Sequence, residues 1–347
     1  MTSRHPRVLF VYPIEASFVQ NDLHLLQSFC DVTKFHFRGR SDYTGLLRSI
    51  RRSDIVFCWF ALEFASVAVC LARLSARKSV VVAGGFDVSG LPEIGYGRLL
   101  KRRGRIEARV ALRVADQVLA FSESSAQAIR KLSPKSNVRS AYLCVDLEAF
   151  HPAKKDEVVI TVAHVSRENL IRKGLTTFVR CAALVPEAKF VLVGRHWDDA
   201  GTTLRSMATK NVELTGWLPA KELHELLARS KVYVQASYTE GFGLALAEAM
   251  ASGCVPVVTR RGAIPEIVGN AGFYAEYGDE AAFAKRIREA LRSETGTDAR
   301  RRVERLFSVE RRSQELRRVI AQLGDRHTRL SCLKRGSATA VHEGVNR

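Results

Sequence analysis

Short apolar runs and amphipathic segments alternate along the chain in a first series that ends near residue 143. The apolar runs predict strands at 7–13, 32–37, 54–60, 79–83, 117–121 and 138–143. The segments between them have helical spacing and predict helices at 19–29, 43–50, 61–76 and 122–132, with a long basic segment at 96–115. Strands that alternate with helices in this way form a parallel sheet covered on both faces, so we expect a Rossmann-like domain.

The alternation restarts after a linker at Asp146–Pro152. Strands are predicted near 157–163, 189–194, 212–216, 231–235 and 254–258, and helices near 173–184, 198–208, 220–230, 243–252 and 280–292. We therefore expect an N-terminal Rossmann-like domain at 1–150 and a second one at 151–305. A final arginine-rich helix is predicted at 306–324, and the polar segment 325–347 is expected to be poorly ordered.

Composition limits the class of protein. A chain of 347 residues with 46% hydrophobic residues suits two medium globular domains. The seven cysteines are scattered without a C-x-x-C pair, which favours reduced thiols in the cytoplasm over a zinc site. The longest apolar run, 58–74, is interrupted by Glu63 and Arg73, and no signal-peptide core follows Met1, so we expect a cytoplasmic protein. The net charge of +18 indicates an anionic partner: a nucleotide, a nucleic acid or a membrane surface.

The stretch 237–258 carries the most specific chemistry. Gly241 and Gly243 form a turn after a strand, and the alanine-rich run that follows predicts a helix. A helix N-terminus at the carboxyl end of a strand is where open α/β sheets bind phosphate groups. Glu240 lies on the loop and Glu248 lies about two turns into the helix, so two carboxylates flank this turn.

The order Glu240-Gly-Phe-Gly, then Glu248-Ala-Met-Ala-x-Gly-x-Pro-Val, resembles the signature of the retaining glycosyltransferases of family 4. The resemblance implies an α/β GT-B fold, in which two Rossmann-like doubly wound domains face a central cleft and the last helix crosses back to the first domain. It implies transfer of a sugar from a nucleotide sugar to a hydroxyl of a glycan or lipid-linked acceptor, with retention at the anomeric carbon. Polysaccharide biosynthesis is the expected context. The first domain would bind the acceptor and the second the donor.

The same resemblance implies roles for individual residues. Glu248 would accept hydrogen bonds from the ribose diol, and Glu240 would face the donor sugar or its developing positive charge. The turn at Gly241 would present the backbone N–H groups of Phe242, Gly243 and Leu244 to the distal phosphate. Arg195 is a further donor-site candidate, and Trp217 would lie near the base or serve in packing.

Two cations resemble the family's phosphate-binding pair, Arg172 and Lys173, which precede a glycine at a predicted helix. Arg167 is the alternative to Arg172, because the family places its arginine nearer the preceding strand. No Asp-x-Asp motif is present, so we expect no cofactor and no metal, with the cations replacing a metal ion.

The first domain departs from the family pattern. The loop 13–22 contains no glycine where many members have a glycine-rich loop. The turn ending at Asp87 stands where many members carry a sugar-contacting histidine, so Asp87 is a catalytic-site candidate or a turn former. Glu266, in the segment 262–266, is interpreted as structural.

The basic segment suggests contact with a membrane. If 98–113 is one helix, five arginines form a stripe about 80° wide: Arg98, Arg102, Arg105, Arg109 and Arg113. An apolar stripe would lie beside it: Leu99, Ile106, Val110 and Val114. The stripe predicts a cytoplasmic enzyme held peripherally on the anionic inner leaflet, and the competing interpretation is a solvated helix face.

Three other functions compete with transfer. One is a nucleotide-sugar epimerase or another GT-B enzyme, and another is a nucleotide-sugar sensor without catalysis. A basic nucleic-acid-binding protein is disfavoured, because the chain lacks aromatic residues interleaved with clustered basic ones, so no nucleic acid is expected as a partner.

Overall fold

The computed structural model describes residues 5–336, with side chains described to 324. It contains two six-stranded sheets, of strand order β2-β1-β3-β4-β5-β6 and β12-β11-β10-β7-β8-β9, and neighbouring strands are parallel throughout. Helices connect successive strands in both. The predicted fold class, two doubly wound α/β domains, is confirmed.

The first sheet occupies the N-terminal part of the chain. Its strands are β1 Arg7–Tyr12, β2 Asp31–His36, β3 Ile55–Trp59, β4 Lys78–Ala83, β5 Gln117–Ala120 and β6 Val138–Ser140. Its helices are α1 Ser17–Gln27, α2 Tyr43–Arg52, α3 Glu63–Leu74, α4 Arg102–Val114 and α5 Glu123–Leu132. Strand β3 is buried along its whole length, as expected of a strand covered by helices on both faces.

The second sheet repeats the arrangement. Its strands are β7 Asp156–Val162, β8 Lys189–Val193, β9 Val212–Gly216, β10 Ser230–Gln235, β11 Val255–Val258 and β12 Phe273–Tyr274. Its helices are α6 Arg167–Arg172, α7 Leu175–Leu184, α8 Ala200–Met207, α9 Ala220–Arg229, α10 Leu244–Ala251, α11 Ile264–Val268, α12 Glu280–Leu291 and α13 Gly296–Leu306. The predicted helix 173–184 is preceded by α6, and Gly174, with φ of 64°, makes the turn between α6 and α7. The short elements α11, β12 and α13 were not predicted.

The last helix, α14 Val309–Gly336, returns to the first domain. Arg312 on α14 forms a buried bidentate ion pair with Asp22 on α1, with nitrogen–oxygen distances of 2.8 and 2.6 Å. It also donates to the carbonyl oxygen of Ala141 at 2.7 Å. The helix extends past the predicted end at 324, and residues 337–347 of the expected tail lie outside the described residues.

The basic segment is not the single helix that the spacing predicted. Arg98 lies in a separate 3₁₀ turn, Lys101 is extended, and α4 begins only after it. Arg98 turns back and contacts the Glu107 carboxylate at 2.7 Å. Gly104 permits this arrangement, because a Cβ there would lie 2.5 Å from the carbonyl oxygen of Arg98. The predicted apolar stripe is correct only in part: Leu99 and Val114 pack against the core, but Ile106 is 62% exposed. The buried apolar face of α4 consists instead of Gly104, Ala108, Ala111 and Leu112.

A cleft lies between the two domains. Its walls are formed by residues that follow β1, β4 and β5 in the first domain and β7, β8, β9 and β10 in the second. The carboxyl ends of both parallel sheets therefore face the same cavity, which is the expected position for a ligand in such folds. In the described part of the chain, no helix is both long enough and apolar enough to span a bilayer.

Candidate active site

The cleft has a volume of about 1010 Å³ and brings together most of the predicted site residues. Those that line it are Arg172, Lys173, Arg195, Trp217, Glu240, Gly241, Phe242, Gly243, Leu244 and Glu248. These ten positions are spread over more than seventy residues of the chain. They come together because they follow neighbouring parallel strands of the second sheet or lie in the first turns of α10. Asp87 and Arg167 are not part of the wall.

Glu240 and Lys173 form an ion pair at the centre of the cleft, with Nζ 2.6 Å from Oε1. Ser237 Oγ and Gln235 Nε2 donate to the same oxygen at 2.7 and 2.8 Å. Burial alone would raise the pKa of Glu240, but the charges of Lys173 and Arg172 and the hydrogen bonds hold it below its ordinary value. Glu240 is therefore a carboxylate at neutral pH. Within the described residues, no hydrogen bond reaches its second oxygen.

Arg172 lies beside this pair. Its guanidinium donates to Asn169 Oδ1 at 2.6 Å and to Glu168 Oε1 at 3.0 Å, and it stacks 4.7 Å from the ring centroid of Tyr96 in the first domain. Arg167 instead pairs with Asp199 at 2.6 Å, 75% exposed and outside the cleft. The geometry therefore favours Arg172 as the second cation of the pair.

The N-terminus of α10 opens onto the cleft without a side-chain cap, and Gly243 before it has φ of 96°. Phe242 lines the cleft, and its ring is buried against Tyr142 and Phe307. Gly241 approaches the other domain closely, because a Cβ there would lie 2.1 Å from the carbonyl oxygen of Gly84. The uncapped N–H groups at this turn are available to an anionic group.

Glu248 lines the cleft, and no hydrogen bond or ion pair involves its carboxylate within the described residues. Burial raises its pKa to about 7.

Two aromatic residues of the cleft wall also bear on the sequence predictions. Trp217 is 65% exposed at the cleft, so it is not a packing residue. His164, which sequence reasoning did not assign, also lines the cleft and stacks on Trp197 at 4.5 Å. Its position directly after a predicted strand was the signal that could have identified it.

Asp87 does not reach the cleft, contrary to the prediction of a catalytic contact. It is 1% exposed, and its carboxylate accepts backbone N–H groups from Ala61 and Gly85 at 2.9 Å and from Gly84 at 3.4 Å. Both oxygens are thus used to hold the turn after β4. The alternative interpretation, a turn former, is correct.

Glu266 joins the two domains. Its carboxylate accepts the backbone N–H groups of Glu123 and Ser124, at 2.7 and 2.6 Å, at the N-terminus of α5. Tyr142 also donates its hydroxyl to Glu266 at 3.1 Å. A carboxylate at this end of a helix is favoured by the unpaired N–H groups and the helix dipole. Glu266 thus has the structural role that the sequence suggested, and that role is to hold the second domain against the first.

No cluster of three or more His, Cys, Asp or Glu side chains suited to a metal ion occurs among the residues that the structure describes. The expectation of a reaction without metal stays a prediction.

Comparison with known proteins agrees with this geometry. The family model described as glycosyl transferases group 1 matches residues 157–293. The chain is 26% identical over 262 residues to GDP-mannose:cellobiosyl-diphosphopolyprenol alpha-mannosyltransferase of Xanthomonas campestris, covering 70% of this chain and 66% of that protein. It is 33% identical over 133 residues to O-antigen chain mannosyltransferase B of Escherichia coli, covering 36% and 35%. N-acetyl-alpha-D-glucosaminyl L-malate synthase of Bacillus anthracis is 26% identical over 203 residues, covering 54% and 53%. The matched segments thus span between 35% and 66% of these relatives.

Solved structures resemble the whole fold. Anabaena HepE in complex with UDP and glucose superposes with a TM-score of 0.76 at 17% identity, covering 92% of this chain and 100% of that one. Sucrose-phosphate synthase from Thermosynechococcus elongatus superposes with a TM-score of 0.73 at 16% identity, covering 92% and 99%. The family match covers the second domain, which carries the two-glutamate motif, and the solved structures share the two-domain fold, so both comparisons support the resemblance to the group 1 glycosyl transferases.

Proposed function

We propose that this protein transfers a sugar from a nucleotide-sugar donor to an acceptor hydroxyl of a glycan or lipid-linked glycan, with retention of anomeric configuration. The observation that carries the proposal is the Glu240–Lys173 pair beside Glu248 at the uncapped start of α10, in an interdomain cleft. This arrangement offers a cation for a leaving diphosphate, a carboxylate for a developing positive charge and a carboxylate for a ribose diol.

The donor binds mainly to the second domain. Glu248 accepts hydrogen bonds from the ribose, and the N–H groups at Gly243 and Leu244 receive the distal phosphate. Arg172 and Lys173 neutralise the diphosphate as the bond between the anomeric carbon and the phosphate oxygen breaks. Their contribution grows in the transition state, where that charge develops.

The acceptor hydroxyl attacks from the face that the phosphate leaves. Its oxygen bonds to the anomeric carbon, and its proton passes to the departing phosphate oxygen. Glu240, held ionised by its partners, stabilises the positive charge at the sugar ring. Because two cations already face the phosphates, we propose that the reaction needs no metal ion.

The names of the relatives support the reaction and leave the acceptor open. The Xanthomonas enzyme acts on a cellobiosyl diphosphopolyprenol with GDP-mannose, whereas the Bacillus enzyme's name specifies L-malate. The solved Anabaena protein holds UDP and glucose. A lipid-linked glycan and a small carboxylic acid, and two different nucleotides, therefore occur among similar proteins.

The first test is a thermal-shift screen across UDP- and GDP-sugars, since a ligand at 100 times its Kd stabilises by about 2.7 kcal/mol. The stabilising donor is then incubated with glycan acceptors, and the anomeric configuration of the product is read by NMR. Lys173→Ala should lower kcat by on the order of 10²–10³-fold. Lys189→Ala, an exposed lysine paired with Glu213 outside the cleft, is the matched control.

Three results would count against the proposal. Release of an epimerised free sugar would indicate the alternative enzyme class, and an inverted product would exclude retention. Loss of turnover with EDTA, restored by magnesium or manganese, would refute metal independence.

We also propose that α4 holds the enzyme peripherally on an anionic leaflet. Arg102, Ile106, Arg109 and Arg113 fall within about 60° of one helix face, and all four are exposed. An apolar side chain surrounded by arginines is typical of a helix that lies in a membrane interface. Each such arginine contributes about 1 kcal/mol near an anionic surface. Arg98, bound to Glu107, has no part in this face.

Vesicle co-sedimentation tests this surface. Changing Arg102, Arg109 and Arg113 together to Gln should abolish binding to phosphatidylglycerol vesicles at low salt. The control makes the same charge change at exposed arginines of the second domain, at Arg180, Arg229 and Arg301. If both triple variants lose vesicle binding equally, the binding depends on the net charge of the protein and not on the exposed face of α4.

A further inference from the structure

The two walls of the cleft differ in charge. The second-domain wall carries Arg172, Lys173 and Arg195, the cations assigned above to the donor side. Among the described residues of the first-domain wall, Glu15 is the one charged side chain. The remainder of that wall is apolar, aromatic or hydroxyl-bearing. An anionic group that entered beside Glu15 would therefore meet a carboxylate, and this wall contributes no cation of its own; Arg172, from the second domain, stacks on Tyr96 of the same wall.

Glu15 is positioned to contact a ligand. It lies on the loop between β1 and α1, where its side chain is exposed and lines the cleft. No hydrogen bond or ion pair involves its carboxylate within the described part of the chain. Ser17, also exposed, lines the cleft from the first turn of α1. An ionised carboxylate can only accept hydrogen bonds, so hydroxyl groups are its natural neutral ligands.

An aromatic surface is built beside this loop. Phe18 and Phe121 both line the cleft, and Trp59 packs behind them with ring centroids 5.3 and 5.6 Å away. Phe60 contacts the same rings, and its backbone has φ of 73°, which is strained for a side chain of this size. Its N–H donates to the carbonyl oxygen of Val82 at 2.7 Å, which helps to hold it there. The surface is thus rigidly supported from below.

We infer that the acceptor group that enters this cleft is a neutral sugar, whose hydroxyls bind Glu15 and Ser17 and whose apolar face packs on the aromatic surface. A carboxylate with aromatic neighbours combines directed hydrogen bonding with apolar contact, as binding sites for small polar molecules do. A phosphate or carboxylate on the acceptor ring would be repelled by Glu15 and would lose hydration without compensation. This inference rests on the proposed transferase activity.

The experiment compares acceptors that differ only in one charge. Transfer from the stabilising nucleotide sugar is measured to p-nitrophenyl glucoside and galactoside and to the corresponding p-nitrophenyl glucuronide and galacturonide. We expect kcat/KM to favour the neutral member of each pair by tenfold or more. Glu15→Gln removes one charge-assisted hydrogen bond and should raise the acceptor KM about tenfold. It should also reduce the ratio of kcat/KM between the neutral and the anionic acceptor of each pair. The donor KM should stay unchanged.

Three further variants test the role of the Glu15 charge. Glu15→Lys should shift the preference towards the uronides, because it reverses the charge at the same position. Glu148→Gln makes the same charge change on an exposed linker carboxylate outside the cleft and should change nothing. Glu15→Asp should recover part of the acceptor affinity that Glu15→Gln loses.

Equal use of both members of each pair, preference for the uronides by the wild type, or an unaltered preference in Glu15→Gln would overturn the inference while the transferase proposal stands. Absence of any glycoside product with every donor and acceptor would instead overturn the proposed function, and the inference with it.

Discussion

Replacing Glu248 by Gln tests the proposed ribose-binding residue, because it removes a carboxyl group whose ionisation should change stability and nucleotide binding with pH. The carboxylate is enclosed in the cleft without a charged partner among the described residues, and burial raises its pKa from 4.5 to about 7. Each pKa unit corresponds to about 1.4 kcal/mol, so ionising Glu248 in the folded protein costs about 3 kcal/mol more than in the unfolded chain.

The sign of the pH dependence follows from proton binding. Below pH 4.5 the side chain is protonated in both states, and above about pH 7 it is ionised in both. Between these limits the folded protein keeps a proton that the unfolded chain has lost, so stability falls as pH rises. Gln carries no charge at any pH and escapes this loss.

Chemical denaturation of wild type and Glu248→Gln at pH 4.5 and pH 8 measures the effect. The free energy of unfolding of the variant, relative to wild type, should be about 3 kcal/mol higher at pH 8 than at pH 4.5. Other titrating groups are common to both proteins and cancel. Glu222→Gln, an exposed glutamate on α9, should show no such difference.

Nucleotide binding gives a second measurement. If the ribose diol donates to the carboxylate, affinity should rise as pH increases through about 7 in wild type, and the variant should bind more weakly without this rise. An equal stability difference at both pH values would refute the burial argument. An unchanged nucleotide Kd in the variant would refute the assignment to the ribose.

Three further predictions concern ion pairs and the domain contact. Lys173→Met should destabilise the fold by about 3–5 kcal/mol, because it leaves Glu240 buried without its cation, and adding Glu240→Gln should recover much of the loss in urea unfolding. Asp22→Ala leaves the Arg312 guanidinium buried and unpaired, so it should cost about 3–5 kcal/mol and raise amide hydrogen exchange in α14. Glu266→Ala removes the acceptor of two N–H groups at the start of α5, which should cost about 1–2 kcal/mol and enlarge the radius of gyration in small-angle X-ray scattering.

Controls separate these effects from general damage. Lys189→Met removes an exposed lysine and should leave stability nearly unchanged. If the double variant at 173 and 240 is no more stable than the single one, the buried-charge explanation for Lys173→Met fails. Unchanged scattering from Glu266→Ala would mean that other contacts hold the domains together.

Sequence reasoning reached the features that depend on local pattern. Strand β10, the turn at Gly241 and Gly243 and helix α10 are consecutive, so their periodicity and glycines could be read directly, and the two glutamates came with them. The Rossmann-like alternation likewise depends only on spacing along the chain.

The features that sequence reasoning missed depend on contacts between segments that are distant along the chain. Asp87 points inward because Ala61, far away in sequence, offers it a backbone N–H. Arg98 leaves the predicted helix because Glu107 draws it back across Gly104. Glu266 and the N-terminus of α5 meet only after both domains are in place. Local pattern contains no information about such partners.

The crossing of α14 back to the first domain has a consequence for how the protein is made. Asp22 on α1 precedes most of the first sheet in the chain, but its counter-ion Arg312 is synthesised only after both sheets. A nascent first domain therefore lacks the helix that covers α1, and the Asp22 carboxylate, which is buried in the complete protein, has no counter-ion. Its completion therefore depends on the synthesis of α14, which follows both sheets in the chain. A fragment that ends at the interdomain linker should consequently fold poorly, whereas the same fragment supplied with a peptide of residues 307–324 should regain structure.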